Sequence, residues 1–427
     1  MFLAIALICL WPMLMSASAS PQLRQDAPEP RSPLPDVQSA EDRAEDDGEE
    51  ETWPTFFERS LRRTRPRIGF TWGLTGFYSD DVRLQSGQES EPRRSVVLNP
   101  RIFTSVERPR SALWLEYSLG YRLYNRPSGS GAAAHYGLLD FERRLSTRTS
   151  LGLREVFRSG FNDFLSPDSA PDAFSFAQVD VPFQRITNNS LEVSLNSRVG
   201  RRTTLGVFGS HDFWRYSQQE PKNNHGIQAG AQLALQIKEW LFLDNRYSHY
   251  LMASDNIRSA NIHRLEIGAL RFATRGGLSV SFGGGVDATR YNGPFHATAG
   301  AHASVSKTSA QTEASITYHR GLSTAVGGGF VLSGHNVTGA FKRWLSRRVN
   351  LTLSSQYTQG SSERNSELEY ISGQAELGVA LQRHLLLSGH YWYISQKTAN
   401  LENNLINSNR YTIGVGLHYS LPSLLEP

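Results

Sequence analysis

From residue 67 onward, apolar and polar residues take turns along segments of eleven residues or more. Leu113, Leu115, Tyr117, Leu119 and Tyr121 share one parity, against Glu116, Ser118, Gly120 and Arg122 on the other. Ile227, Ala229, Ala231, Leu233, Leu235 and Ile237 oppose Gln228, Gly230, Gln232 and Gln236 in the same way. So do Tyr411, Ile413, Val415, Leu417 and Tyr419 against Thr412, Gly414, Gly416, His418 and Ser420. A period of two places one parity on each face of a β-strand. It predicts strands at 67–79, 94–107, 111–124, 134–145, 148–158, 185–199, 202–216, 223–238 and 240–253. A second set falls at 260–274, 277–291, 294–307, 309–321, 325–344, 348–360, 366–383, 384–396 and 408–421. That makes eighteen, in a range of sixteen to twenty. The segments 134–145 and 325–344 alternate poorly.

A soluble sandwich also alternates, but three features point elsewhere. The strands are long beside the roughly 5–6 residues usual in globular sheets, and they match the ~9–11 tilted residues that cross a bilayer. Short connections alternate with long ones, the habit of up-and-down membrane barrels. Aromatics gather near strand ends, among them Tyr117, Tyr121, Tyr124, Trp214, Tyr216, Tyr391, Trp392 and Tyr393, where interfacial girdles would place them. The pattern therefore predicts an all-β, transmembrane, antiparallel up-and-down barrel with lipid outside and water within. Closure removes the sheet edge that lipid cannot tolerate.

The other end of the chain changes that picture only by adding segments to it. Residues 1–19 form an apolar run closing on Ala17-Ser18-Ala19, as in an export signal. The single cysteine, Cys9, lies inside it, so the remainder has no thiolate for a metal site. Residues 20–52 hold eight carboxylates between Glu41 and Glu51 against one Arg. Such a run reads as a disordered acidic periplasmic tail. A short basic amphipathic segment at 53–66 precedes the barrel at 67–421, and 422–427 forms a C-terminal tail. Outside the leader, no apolar stretch approaches a spanning helix.

With these residues in hand, the chain resembles bacterial outer-membrane β-barrel porins over roughly 67–421, in architecture and not in a fixed signature. NRYTIGVGLHYSL is similar to the terminal assembly strand of that class, except that PSLLEP follows it. Within the class it looks most like a β-barrel porin family some of whose members are linked to exopolysaccharide secretion. The resemblance implies a Gram-negative outer-membrane location, outer-membrane lipids and the barrel-assembly machinery as partners, and periplasmic or polysaccharide-secretion components as further ones. An even strand number puts both termini on one side, the periplasm. The basic turns then face the periplasm: Arg108 and Arg110, Arg144 and Arg148, Arg201 and Arg202, and Lys342, Arg343, Arg347 and Arg348.

Candidate chemistry belongs to the polar parity. Glu116, Arg122, Arg154, Glu192, Arg198, Arg264, Glu266, Asp287, Glu313, Glu376 and His418 are the predicted channel-lining residues, joined by His319 and His390. Both signs occur in similar numbers, which predicts weak ion selectivity. The loop at 161–183 carries Phe161, Phe164, Phe174 and Phe176 beside Asp163, Asp168 and Asp172. Aromatic faces next to carboxylates suit sugar rings, so this loop is the candidate constriction. An external loop packing its own Phe residues fits the same composition. No nucleophile elbow, H-E-x-x-H or Walker loop occurs. The sequence therefore predicts no enzyme, no cofactor, no metal site and no nucleic-acid partner. Ser210, His211 and Asp212 are adjacent on a strand, and adjacent strand residues face opposite ways. The expected function is an outer-membrane channel for polar solutes or a secreted polysaccharide. A structural or adhesive barrel and a lipid-modifying enzyme are the alternatives.

Overall fold

The computed structural model describes residues 67–82, 91–124, 132–161, 175–178, 185–216, 223–254, 257–274, 276–290, 295–326, 330–361, 367–382, 384–399 and 405–421. The expected leader, acidic tail, amphipathic segment and C-terminal tail lie outside them. Nineteen strands form one sheet. They are β1 Arg67–Val82, β2 Glu91–Arg108, β3 Ser111–Tyr124, β4 Ala132–Arg144, β5 Thr149–Phe161, β6 Ser175–Gln178, β7 Arg185–Arg198, β8 Thr203–Tyr216, β9 Asn223–Lys238 and β10 Leu241–Ser254. Next come β11 Ile257–Ala273, β12 Leu278–Arg290, β13 His296–Thr308, β14 Thr312–Val326, β15 Phe330–Trp344, β16 Val349–Ser361, β17 Glu367–Gln382, β18 Leu385–Ala399 and β19 Leu405–Leu421.

All but the four-residue β6 pair antiparallel with their neighbours in chain order, β5 with β7 across the gap. β1 closes on β19 from Phe70↔Leu421 to Ser79↔Thr412. The result is a closed, eighteen-stranded, transmembrane up-and-down barrel.

The alternation works as the sequence predicts. Leu115, Tyr117, Leu123, Leu265, Ile267, Ile413 and Val415 are exposed on the outer face, while their polar neighbours in sequence turn to the lumen. At the short-turn end the hairpins repeat one construction. Leu145 and Ser146 both donate their amides to the Thr149 carbonyl, and Leu345 and Ser346 do the same to Val349. In each turn Ser Oγ also accepts the amide two residues on, from Arg148 or Arg348.

A second repeat sits on the lipid face. Tyr117, Tyr247 and Tyr318 are each the seventh residue of their strand. Their hydroxyls meet Nδ1 of His135, His263 and His335 on the next strand at 2.8, 2.9 and 2.9 Å. In every case the His lies two positions beyond the residue directly opposite the Tyr, toward the long-loop end. Each pair satisfies two polar groups on an otherwise apolar outer face, where an unmade hydrogen bond is costly. Two of the aromatics expected in the girdles do not belong there. Trp214 packs on buried Ile186 and Trp392 on the buried cluster containing Ile394, both on the lumen parity.

Candidate functional site: a narrowed lumen

All eleven predicted lining residues fall on the lumen face, opposite the exposed apolar parity, but in different settings. Arg154, Glu192, Arg198 and Glu313 are exposed to the interior space. Glu116 accepts hydrogen bonds from Arg101 Nη2 and from Trp114 Nε1. Glu266 lies 3.9 Å from His302, and Glu376 lies 3.9 Å from His390. Arg122, Arg264 and Asp287 are buried. Arg122 donates from Nε to Ser95 Oγ at 2.8 Å and lies over the Phe77 ring. Ring support recurs around the lumen, with Arg246 4.5 Å above Phe208, Arg271 4.2 Å above Phe242 and Arg410 5.8 Å above Trp392. The alternation gave no hint of these partners, since each pairs residues from different strands or separated positions. An Arg on a lumen parity with an aromatic in cross-strand reach is the signal that finds them.

His390, His418 and Glu376 come together with Ser388, which sequence reasoning missed. Ser388 Oγ lies 2.8 Å from His390 Nε2 and 2.9 Å from His418 Nε2. The Ser is 1% exposed and also donates to the Gly416 carbonyl. Its strand gives its amides to the ladders with β17 and β19, so no donor pair is aimed at a developing oxyanion. The cluster is a cross-strand hydrogen-bond network. Ser210 and Asp212 face the lumen while His211 faces out, its ring 5.9 Å from that of His225.

The decisive geometry is at the long-loop end. β13 pairs with β14 only up to Ala301↔Arg320, and β15 pairs with β16 only from Ser333↔Ser361. Between those limits β14 and β15 still pair with each other, out to Ala325↔Phe330. The tip of this hairpin has left the wall and turned inward, and both its faces are buried. Leu322 and Val331 pack on Tyr250, Met252, Ala260 and Ile262 of β10 and β11. Leu332, 0% exposed, packs on Leu368, Tyr370 and Ile394 of β17 and β18. The sequence placed a connection at 322–324 and a poorly alternating strand from 325. The correction has a physical reason: a tip buried on both faces has no polar face to alternate.

Gly321 marks the bend. Its φ is +153°, and a Cβ there would lie 2.2 Å from Asp287 Oδ2. Arg264 and Asp287 face the bend from β11 and β12. Arg264 Nε donates to Asp287 Oδ1 at 2.9 Å, and Nη2 to Oδ2 at 3.0 Å. Asp287 Oδ2 then accepts the Leu322 amide at 2.7 Å, and Arg264 Nη2 donates to the Leu322 carbonyl.

The expected constriction loop touches this tip. β6 runs parallel to the end of β14, with Thr324↔Ser175, Ala325↔Ala177 and Val326↔Gln178. It takes the edge that β13 gives up. Its chain therefore leaves the β5–β7 side of the barrel and reaches the fourteenth strand. Of the loop residues singled out in the sequence, Phe176 is on β6 and Phe161 ends β5. Asp163, Phe164, Asp168, Asp172 and Phe174 lie outside the described residues.

No protein-family model matches this chain, and no curated protein sequence does. Among solved structures, it is similar to Pseudomonas aeruginosa OccK2 (OpdF), with a TM-score of 0.45, 10% identity, and coverage of 84% of this chain and 98% of that one. For Acinetobacter baumannii OccAB4 the TM-score is 0.43 and the identity 8%, over 83% of this chain and 98% of the other. For Pseudomonas aeruginosa OpdK, solved with vanillate, the TM-score is 0.42 and the identity 11%, with the same coverage. Overlap this loose carries over neither a residue role nor a ligand. The chain's own strand pairing establishes a closed, porin-like β-barrel.

Proposed function

We propose that the protein is an outer-membrane channel for small polar solutes, narrowed at its long-loop end by the β14–β15 tip and β6. The observation that carries this reading is the lumen: a wall of solvated charges and ring-supported arginines below a tip that stands in the passage. An eighteen-stranded barrel is wide enough for an aqueous channel unless something fills it, and here part of it is filled. Mixed charge on the wall favours weak ion selectivity. In this reading both termini are periplasmic, and the basic short turns lie among anionic headgroups of the inner leaflet.

Export of a polysaccharide is the more demanding form of the same reading, because a polymer needs the passage clear along its whole length. Refolded protein from residue 20, and a second form from residue 53, would be recorded in planar bilayers and then tested for sugar uptake in liposomes. Small, steady steps with uptake cut off at small oligosaccharides are expected from both. Passage of long polymers would favour the export form. Silence from both folded proteins would overturn the channel.

A further inference from the structure

We propose that Arg264 and Asp287 are a latch. They are positioning residues that hold the β14–β15 tip inside the lumen, and their release lets the tip swing back to the wall and widens the passage. The inference rests on the channel reading above but adds a moving part and the two side chains that fix its position.

Four observations converge on it. First, the pair is buried, with side chains 5% and 2% exposed. A charge pair taken out of water gains little by itself, because desolvation cancels most of the attraction. Simple wall stability is thus a weak reason for its presence. Second, both members of the pair hydrogen-bond to one residue of the tip. The Leu322 amide goes to Asp287 and the Leu322 carbonyl takes Arg264. Those are the two backbone groups that β13 would have satisfied had the tip stayed in the wall, since the β13 ladder stops at Arg320. The latch replaces a missing strand pairing. Third, Gly321 lets the chain approach Asp287 more closely than any side chain would allow, at a φ that L-residues rarely adopt. Fourth, the tip docks through two apolar clusters against opposite stretches of wall and has no covalent tether there. On the β14 side, residues 296–300 of β13 run past the last pair, Ala301↔Arg320, and could take up that edge again in place of β6. Two packings of one hairpin, one inside and one in the wall, make a bistable element of the kind that switching requires.

The test reads tip position separately from conductance. In a Cys9→Ser background, Leu332→Cys places a thiol at a position that is 0% exposed with the tip docked. Its rate of reaction with a membrane-impermeant maleimide is measured in refolded barrels. Three further backgrounds are compared. The double variant Arg264→Met/Asp287→Leu keeps the site filled with apolar groups while removing both backbone anchors. Gly321→Ala leaves the charges and blocks the close approach. Arg101→Met/Glu116→Leu removes a different lumen ion pair. The latch requires labelling to rise at least about tenfold in the first two backgrounds and not in the third, a shift within what leaving two buried backbone groups of Leu322 unpaired is worth. Unchanged labelling in the first two would overturn it and leave the tip held by its apolar clusters and the β6 pairing. Equal acceleration in all three would also overturn it, as general loosening. If labelling rises as expected while single-channel conductance stays fixed, the latch stands and the tip is not what narrows the channel.

Discussion

The β3–β4 and β14–β15 hairpins begin alike and end differently. Each carries a Tyr–His pair at the same height, Tyr117 with His135 and Tyr318 with His335. Beyond it, each strand carries a Leu on the Tyr parity, Leu123 in β3 and Leu322 in β14. In β3 it stays on the barrel's exterior, and Leu123 is 54% exposed; in β14 the equivalent stretch turns in, and Leu322 is 4% exposed. Local alternation says which residues share a face. It does not say what the face will meet. Each strand has a glycine at its tenth position, Gly120 or Gly321; what sets β14 apart is the positive φ of Gly321 and the two charges from other strands that meet the residue after it.

The largest effect on this contrast is expected from removing the inturned tip. Replacing residues 322–333 with a two-residue turn should raise single-channel conductance at least about twofold, because the tip stands in a lumen otherwise wide enough for water. Shortening the β3–β4 hairpin above Tyr121 by a similar length should leave conductance unchanged. Equal effects would end the distinction between the two.

Next in size comes packing. Leu332→Ala should destabilise the docked tip by about 2–5 kcal/mol, the usual range for a large-to-small change in a buried cluster. Leu123→Ala, on the lipid face, should cost well under about 1 kcal/mol by the same area argument. Urea unfolding in lipid vesicles, read by Trp fluorescence, would compare them.

The strands and their faces were legible in the sequence because each rests on a period of two inside a single segment. The face on which the eleven candidate residues lie followed from parity; the cross-strand register did not. Nor did the inturned tip. Leu322 and Val331 read like any apolar pair near a strand end, and the anchor that turns them is Asp287, 35 residues earlier in the chain. The ring-supported arginines escaped for the same reason, as did Ser388 between its two histidines. A contact set by the register of distant strands leaves no local periodic trace. The poor alternation of 325–344 holds one trace of that kind, the adjacent Val331 and Leu332, which are both buried on opposite faces of the hairpin.

A smaller effect should come from the Tyr–His pairs themselves. Tyr247→Phe removes one hydroxyl and leaves His263 without that partner, at a cost of about 0.5–1.5 kcal/mol. The same change at Tyr117 should match it, since the two geometries agree. A markedly larger loss at Tyr318 alone would mean that the pair on β14 also helps to launch the bend. The smallest change is expected at the short turns, where Arg347→Gln with Arg348→Gln should alter stability by no more than about 0.5 kcal/mol, as is usual for exposed sites. A larger drop in unfolding midpoint there would show that the turn charges do more than sit among headgroups.

The three Tyr–His pairs also do something together that none does singly. They sit on the third and fourth, the tenth and eleventh, and the fourteenth and fifteenth strands, well spread around the circumference and equally far from their short turns. Three separated marks define a plane. Any tilt of the barrel in a bilayer moves the three by different amounts along the membrane normal, so together they register the direction of a tilt as no single pair can.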